Sequence, residues 1–436
     1  MPMNNIAIQN RINQPRVSPA FVASAIRPIL AFAVLALIWI SFRPFAAGSS
    51  EEIESSLLNQ LGYTGLLAVS ILTLLSTIDR RVALTYVSLP WLLIMALLVF
   101  STIFSPAPED ARRAVAFTLI ALLLAASFVL LPRNADELCN VLAIACFLVL
   151  GLSLAGVILW PQAAVHQSYE AEAQHGGLWR GIYIHKNLAG PIMAVIAFAG
   201  VYIMRRGRWI SGIAIALLAL FFISQTGSKT SLIVAPAVAA IVLVPTLAGM
   251  RGLSAFLVLA AVLTTHAMTI GTVYSETLDS ILRSIDPLTT FTGRISIWEF
   301  SKPFLIAEPW TGYGYDGFWL SDLVLYAETA FDSAWDPRGI VHGHNGYLDI
   351  ALIMGVPAML LLIWLSLIAP IIDYLRVPNL KENVLLSDFL FMIVAFTTMN
   401  AALESFMFRR VDPVWLTLVI ALFGLRLVAR LPVRAR

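Results

Sequence analysis

The chain has 436 residues, 59% of them hydrophobic and only 12% charged, and a mean hydropathy of +0.84. That balance excludes a soluble globular protein and describes a polytopic membrane protein. The net charge of +2 says nothing as a total, because the distribution of Lys and Arg between the two faces is what carries information.

Residues 1–26 read as a polar cytoplasmic tail with Arg11 and Arg16, and the first apolar run carries Arg27 at its base. No small-residue cleavage site follows that run, so a first transmembrane helix is expected rather than a cleaved signal. Crossing the hydrocarbon core as helix takes roughly 20 apolar residues, because an unpaired amide in lipid costs several kcal/mol. About twelve runs meet that demand, near 27–42, 61–77, 82–103, 114–131, 138–160, 187–204, 209–223, 230–247, 253–272, 346–371, 384–400 and 413–430. Cys139 and Cys146 lie seven apart on the fifth, too far to bridge, and read as packing residues.

With a cytoplasmic N-terminus, sixteen Lys and Arg fall inside and eight in the outer short loops, which places both termini in the cytoplasm. The expected organisation is therefore all-α: a tail over 1–26, nine spans over 27–272, a large periplasmic loop over 273–345 with short interfacial helices, and three spans with a cytoplasmic C-terminus over 346–436. No internal repeat is visible.

The outer cations are the informative set, since several oppose the topology rule. Arg180 and Lys186 frame Trp179-Arg180-Gly181-Ile182-Tyr183-Ile184-His185-Lys186-Asn187; Lys229 sits in Gln225-Thr226-Gly227-Ser228-Lys229-Thr230-Ser231; Arg294 begins a loop helix; Arg409-Arg410 precede the last span. Guanidinium forks match phosphate oxygens two at a time, so four distant segments supply the parts of a diphosphate site. Snorkelling to headgroups explains any one of them equally well. The run Gly227-Ser228-Lys229-Thr230 is not a complete nucleotide loop, because position 222, where a glycine is needed, is Phe222 and no strand precedes it.

In the outer loop, Thr292 is the expected cap of a short interfacial helix bearing Ile295, Trp298, Phe300 and Phe304, kinked at Pro303. Trp310 to Trp319 interleaves rings with Gly312, Gly314 and Gly317, which suits either sugar faces or interface anchoring. His342 and His344 form His-x-His without a third ligand at metal spacing, so no metal is expected. Imidazole titrates near neutrality, which makes His344 a candidate base or orienting group for a sugar hydroxyl. Asn345 follows it. Asp349, on the first turns of a span, is expected to face the bundle interior, and Glu404, beside Asn400, either joins the site or pairs with Arg409.

Three stretches together resemble a known family: Thr292-Gly293-Arg294 with Trp298 four residues on; Pro309-Trp310-Thr311-Gly312-Tyr313-Gly314; and His344-Asn345 followed by Leu348-Asp349, running into a span with Gly355. Their order and placement resemble the large outer loop of the O-antigen ligase and Wzy-type polymerase superfamily. The segments 181–190 and 226–231 look most like its exopolysaccharide-polymerising branch, typified by ExoQ proteins. The resemblance implies a metal-independent GT-C-like glycosyltransferase of the bacterial inner membrane, active at the periplasmic face, that takes undecaprenyl-diphosphate-linked oligosaccharide as donor and needs no cofactor. By motif, His344 and Arg294 take the catalytic positions, and Arg180, Lys186 and Lys229 the basic positions before the two earlier spans. Asn187, His342, Asn345, Trp298, Glu404 and Arg409 complete the expected substrate-binding set. One departure is Ile353, where many members carry an acid two residues before the span glycine.

Polymerisation of an exopolysaccharide is the expected activity. The alternatives are ligation of the glycan to lipid A core and, in another class, a transporter or flippase for polyprenyl-linked sugars, which would need broken helices and repeats. Expected partners are the lipid-linked oligosaccharide, the bilayer, a chain-length regulator and export machinery; no nucleic acid is expected.

Overall fold

The computed structural model describes residues 19–46, 56–170, 173–319, 321–328 and 336–435. These are helical, with no strand among them beyond an isolated bridge between Val165 and Trp179. The longer helices are α1 (Pro19–Ile40), α2 (Leu57–Thr77), α3 (Leu89–Ser101), α4 (Pro108–Ser127), α5 (Ala135–Leu159), α6 (Lys186–Arg205), α7 (Trp209–Thr226), α8 (Lys229–Leu247), α9 (Arg251–Met268), α10 (Glu276–Ile285), α11 (Arg294–Ala307), α12 (Gly346–Ile363), α13 (Lys381–Asn400) and α14 (Pro413–Val428).

Ten helical stretches among the described residues are long and apolar enough to cross a membrane, and α3 and α14 are shorter apolar helices. The protein is thus an all-α polytopic membrane protein. The run expected at 82–103 is divided: Asp79 caps a five-residue helix from Arg80 by accepting the Arg81 amide at 2.8 Å, and α3 restarts at Leu89 with Pro90 in its first turn. A proline ring fits there because the first amides of a helix have no internal partner.

The centre of the bundle is α6, α13 and α14, whose Phe198, Phe391, Phe396 and Trp415 are fully enclosed. Helices α2, α8 and α9 present Leu72, Leu75, Ile233, Val244 and Phe256 outward, the arrangement a hydrocarbon solvent favours. Trp39 of α1 donates to Thr417 Oγ1 of α14 at 3.0 Å, tying the first helix to the last. At one end of the bundle, partly buried ion pairs join the helices: Arg205 to Asp388 at 2.7 Å, Arg206 to Asp136 and Glu382 at 2.7 Å each, and Arg430 to Asp373 at 2.9 Å. Cys139 and Cys146 are buried and unbridged.

Helix α12 continues through a π-turn over Trp364–Ile368 into Ala369–Arg376, 31 residues in all. At about 1.5 Å per residue this exceeds the roughly 30 Å hydrocarbon core, so one end stands clear of it. A break falls at Gly355, where φ is 82° and ψ 168°. The amide and carbonyl groups freed there are taken by the aromatic-glycine run: Tyr313 N donates to Leu352 O at 2.7 Å, Gly314 N to Ile353 O at 3.1 Å, and Val356 N to Pro309 O at 2.8 Å. That run is therefore a backbone clamp on a broken helix.

The loop between α9 and α12 has a small core of its own in Ile297, Trp298, Phe318, Val324 and Ile340, packed on Leu348 and Leu352 of α12. Its helix α11 is capped by Gly293 and not by Thr292, because Phe291, Thr292 and Gly293 turn left-handed in succession, with φ of 46°, 61° and 83°. Pro303 lies inside it, as expected.

Candidate functional site

At the end of the bundle opposite those ion pairs, α1 and α13 finish while α6, α8, α12 and α14 begin, and a cavity of about 610 Å³ opens between them. Each wall has a separate origin in sequence. The end of α1 brings Arg43, the start of α6 His185, Lys186 and Asn187, the α7–α8 turn Lys229, and the start of α11 Thr292 and Arg294. The segment before α12 adds His342 and His344, and the α13–α14 connection adds Asn400, Glu404, Arg409 and Asp412. Five cations thus face two carboxylates, leaving an excess of positive charge suited to a polyanion.

Lys186 and Lys229 are the first residues of α6 and α8, at the positive ends of the helix dipoles, and the first two amides of α6 are taken by His166 Nε2 at 3.2 Å and His185 Nδ1 at 3.1 Å. Lys229 makes no ion pair with a described residue.

Glu404 joins three of the walls. Its Oε1 accepts from Arg294 Nη2 at 2.8 Å and from Asn187 Nδ2 at 2.9 Å, while its Oε2 lies 3.4 Å from His344 Nδ1. Of the two alternatives read from sequence, a place in the site or a pair with Arg409, the structure shows Glu404 in the cavity wall and ion-paired with Arg294. Burial pushes the Glu404 carboxyl up, but the His344 contact and the Arg294 charge outweigh it and hold its pKa below the ordinary value. An ionised carboxylate therefore orients both the guanidinium and the imidazole.

The two histidines are set by the residue between them. The Gly343 amide donates to both oxygens of Asp349, at 2.9 and 3.1 Å, and its carbonyl accepts from Trp298 Nε1 at 2.9 Å. Trp319 Nε1 donates to the same Asp349 at 2.8 Å. Pinned from both sides, the chain leaves Gly343 with His344 at φ 50°, a left-handed conformation uncommon for a residue with a Cβ. The His344 amide donates to His342 Nδ1 at 3.3 Å, and the rings lie 4.3 Å apart. Burial, with His344 and Arg409 adding to it, pushes the His342 pKa well below its ordinary value, so that ring is neutral.

Of the residues expected from sequence, His344, Arg294, Lys186, Lys229, Asn187, His342, Glu404 and Arg409 line this one cavity. Three stand behind it. Arg180 is held by Glu170 at 2.8 Å and by the carbonyl of Ala163 at 3.0 Å. Trp298 is buried beneath Gly343. Asn345 caps α12, accepting the Leu348 amide at 3.0 Å and donating to Ala402 O at 3.2 Å. Asp349 faces the interior as expected.

Sequence reasoning missed Arg43, Asp412 and three histidines, His166, His175 and His185, whose rings lie 4.9 to 5.7 Å apart beside Lys186. His166 meets Glu170 through Nδ1 at 3.2 Å and accepts the Lys186 amide on Nε2 at 3.2 Å. Burial, then the neighbouring His185, lowers its pKa to about 4. Single histidines nine and ten residues apart carry no periodic signature, and only folding of the 160–187 segment collects them. Among the described residues no group of three His, Cys, Asp or Glu is arranged to hold a metal ion.

Residues 193–363 match the family described as O-Antigen ligase. The chain is also 26% identical over 195 residues to the exopolysaccharide production protein ExoQ of Rhizobium meliloti strain 1021; the match covers 42% of this chain and 43% of that protein. The matched family segment runs from α6 through the loop into α12 and so includes the Lys229, Arg294, His342 and His344 walls of the cavity. The chain therefore resembles the O-antigen ligase and Wzy-type polymerase superfamily, and within it the ExoQ-type proteins.

Proposed function

We propose that this protein is a bacterial inner-membrane glycosyltransferase that polymerises an exopolysaccharide from undecaprenyl-diphosphate-linked oligosaccharide at the periplasmic face. The observation that carries the reading is the cavity itself: Arg294, Lys186, Lys229, Arg409 and Arg43 surround the same space as His344. It opens at the bundle end that the Lys and Arg bias assigns to the outside.

In this reading the cations bind the diphosphate and neutralise the charge that grows on it as the bond from the anomeric carbon to its oxygen breaks. Fixed donors cost no reorganisation at that moment. His344 takes the proton of the acceptor hydroxyl, whose oxygen attacks the anomeric carbon from the opposite side. Glu404, at 3.4 Å from His344 Nδ1, orients the ring and stabilises the imidazolium that forms. The products are the lengthened glycan and undecaprenyl diphosphate. The leaving group is already activated, and protein cations take the place that a divalent ion holds in other diphosphate chemistry, so the reaction runs without added metal or nucleotide. Arg180, Trp298, Asn345 and Asp349 act by holding the walls.

The domain assignment follows: the spans form the scaffold, and the segment 273–345 brings Arg294 and the histidines to it. A chain-length regulator and export machinery would act on the product.

The test is purified protein with a synthetic lipid-diphosphate repeat unit, without metal or nucleotide. Products growing by whole repeat units support polymerisation. A single transfer to lipid A core, which the match to O-Antigen ligase favours, would make it a ligase. No transfer to either acceptor would overturn the reading.

A further inference from the structure

One polar group in the cavity wall has no role in the scheme above. Asn400 closes α13, is only 2% exposed, and lines the cavity. Its Nδ2 finds no hydrogen-bond acceptor among the described residues. A buried amide donor without an acceptor is costly, and native structures seldom keep one unless something else supplies the partner. Asn345, by contrast, is equally buried and fully used, as a cap and as a donor to Ala402 O.

We infer that Asn400 is a specificity-determining residue that hydrogen-bonds a hydroxyl of the sugar attached directly to the diphosphate. This rests on the proposed function and names one contact within it. Placement argues for that sugar: the Glu404 amide donates to Asn400 O at 3.0 Å, so Asn400 lies one turn from the carboxylate that holds both Arg294 and His344. Chemistry argues for a hydroxyl rather than a phosphate. Asn400 carries an acceptor beside its donor, and Glu404 and Asp412 share the same wall. Phosphate oxygens only accept and would meet acceptors there, whereas a hydroxyl can take from Nδ2 and give to a neighbouring oxygen. Of the five cations that suit phosphate, Arg409 alone shares this wall; the other four stand just past α1 and at the starts of α6, α8 and α11.

The experiment measures binding of three soluble probes to the purified full-length chain: farnesyl diphosphate, and farnesyl diphosphate carrying glucose or galactose. Wild type should bind at least one sugar-bearing probe more tightly than farnesyl diphosphate itself. Asn400→Ala and the bulkier Asn400→Leu should each lose about tenfold of that increment, the worth of one hydrogen bond to a buried group, and leave farnesyl diphosphate binding unchanged. Because Nδ2 has no partner among the described residues, neither variant should lower the unfolding temperature without ligand. Equal weakening of all three probes, an unchanged sugar increment, or no sugar increment in wild type would each overturn the assignment. Failure of wild type to bind farnesyl diphosphate at all would instead overturn the proposed function on which it rests.

Discussion

The backbone amide of Gly343 points at the carboxylate of Asp349, and the pair fixes where His342 and His344 stand. A Cβ at position 343 would lie 2.7 Å from Asp349 Oδ1 and 3.1 Å from Trp319 Cζ2, so the Asp349 contact must shift and Trp319 must give way slightly. Gly343→Ala should therefore displace the histidines while the bundle still forms. The expected outcome is glycan transfer reduced at least tenfold with a nearly unchanged unfolding temperature, because misplacing a reacting group by about 1 Å costs on the order of 100-fold. A fully active Gly343→Ala enzyme would show that the histidine segment is not held by this contact.

His344 and Glu404 should behave as a unit. Loss of a general base costs about 100- to 10,000-fold, so His344→Ala should abolish polymer while the protein is made at normal level. Glu404→Gln keeps the shape and removes the charge that Arg294 and His344 share. Its loss should be smaller, and the double variant should be little worse than His344→Ala alone, because residues acting together are strongly non-additive. Independent, multiplying losses would separate the two residues.

The anion-binding residues predict a different signature. Lys229 and Lys186 reach the cavity from helix starts, whereas Arg294 is the cation paired with the Glu404 carboxylate. Replacing either lysine with Ala should raise KM for the lipid donor about tenfold, the worth of one charged hydrogen bond, with a smaller change in kcat. Arg294→Ala removes a binding group and also strands Glu404, so it should lower kcat as well. A pure kcat effect at Lys229 would move it out of the diphosphate site.

What the sequence discloses here and what it hides follow from the range of the forces. Apolar runs such as 187–204 and 384–400 announce themselves because lipid demands an unbroken stretch of roughly 20 residues. The convergence of Lys186, Lys229, Arg294 and Arg409 is legible because cations that oppose the topology rule stand out locally. Arg180 looks the same in sequence, yet its partner Glu170 lies ten residues earlier in a segment whose fold has no periodic signal. The role of the aromatic-glycine run is hidden because backbone pairing with a helix some forty residues later leaves no trace in side-chain pattern.

Asp412 gives a pH dependence. It caps α14 by accepting the amides of Val414 at 2.8 Å and Trp415 at 3.0 Å, yet burial, set against those bonds and the Arg409 charge, leaves its pKa raised to about 6. A raised carboxyl pKa means that the folded state penalises the ionised form. The penalty is absent below the ordinary carboxyl range, grows between about 4 and 6, and is complete above about 6. His166 and His342, whose pKa values are lowered, act oppositely over part of that window, so the total slope of wild type is not the observable. The difference between Asp412→Asn and wild type isolates the group, since Asn keeps an acceptor for the cap. Its unfolding temperature relative to wild type should rise from pH 4.5 to pH 7 and then level off; a difference that stays flat over that range would contradict the assignment.

Gly355 tests the clamp on the broken helix. At φ 82° and ψ 168° it occupies a region open to glycine alone, and a Cβ there would sit 2.3 Å from Trp310 O and 2.9 Å from Thr311 N. The conformational cost of a non-glycine residue is about 1–3 kcal/mol before the clash with backbone atoms is counted. Gly355→Ala should therefore force Pro309–Gly314 away from α12 and expose the amides of Tyr313, Gly314 and Val356 that now pair across the break. Hydrogen exchange should show those three amides losing protection while Leu390 and Leu418, in the bundle centre, keep theirs. Activity should fall too, since α12 begins at the histidines and its first turns carry Asp349. Unchanged protection at Tyr313 and Gly314 would mean that the loop and the helix are not coupled at Gly355.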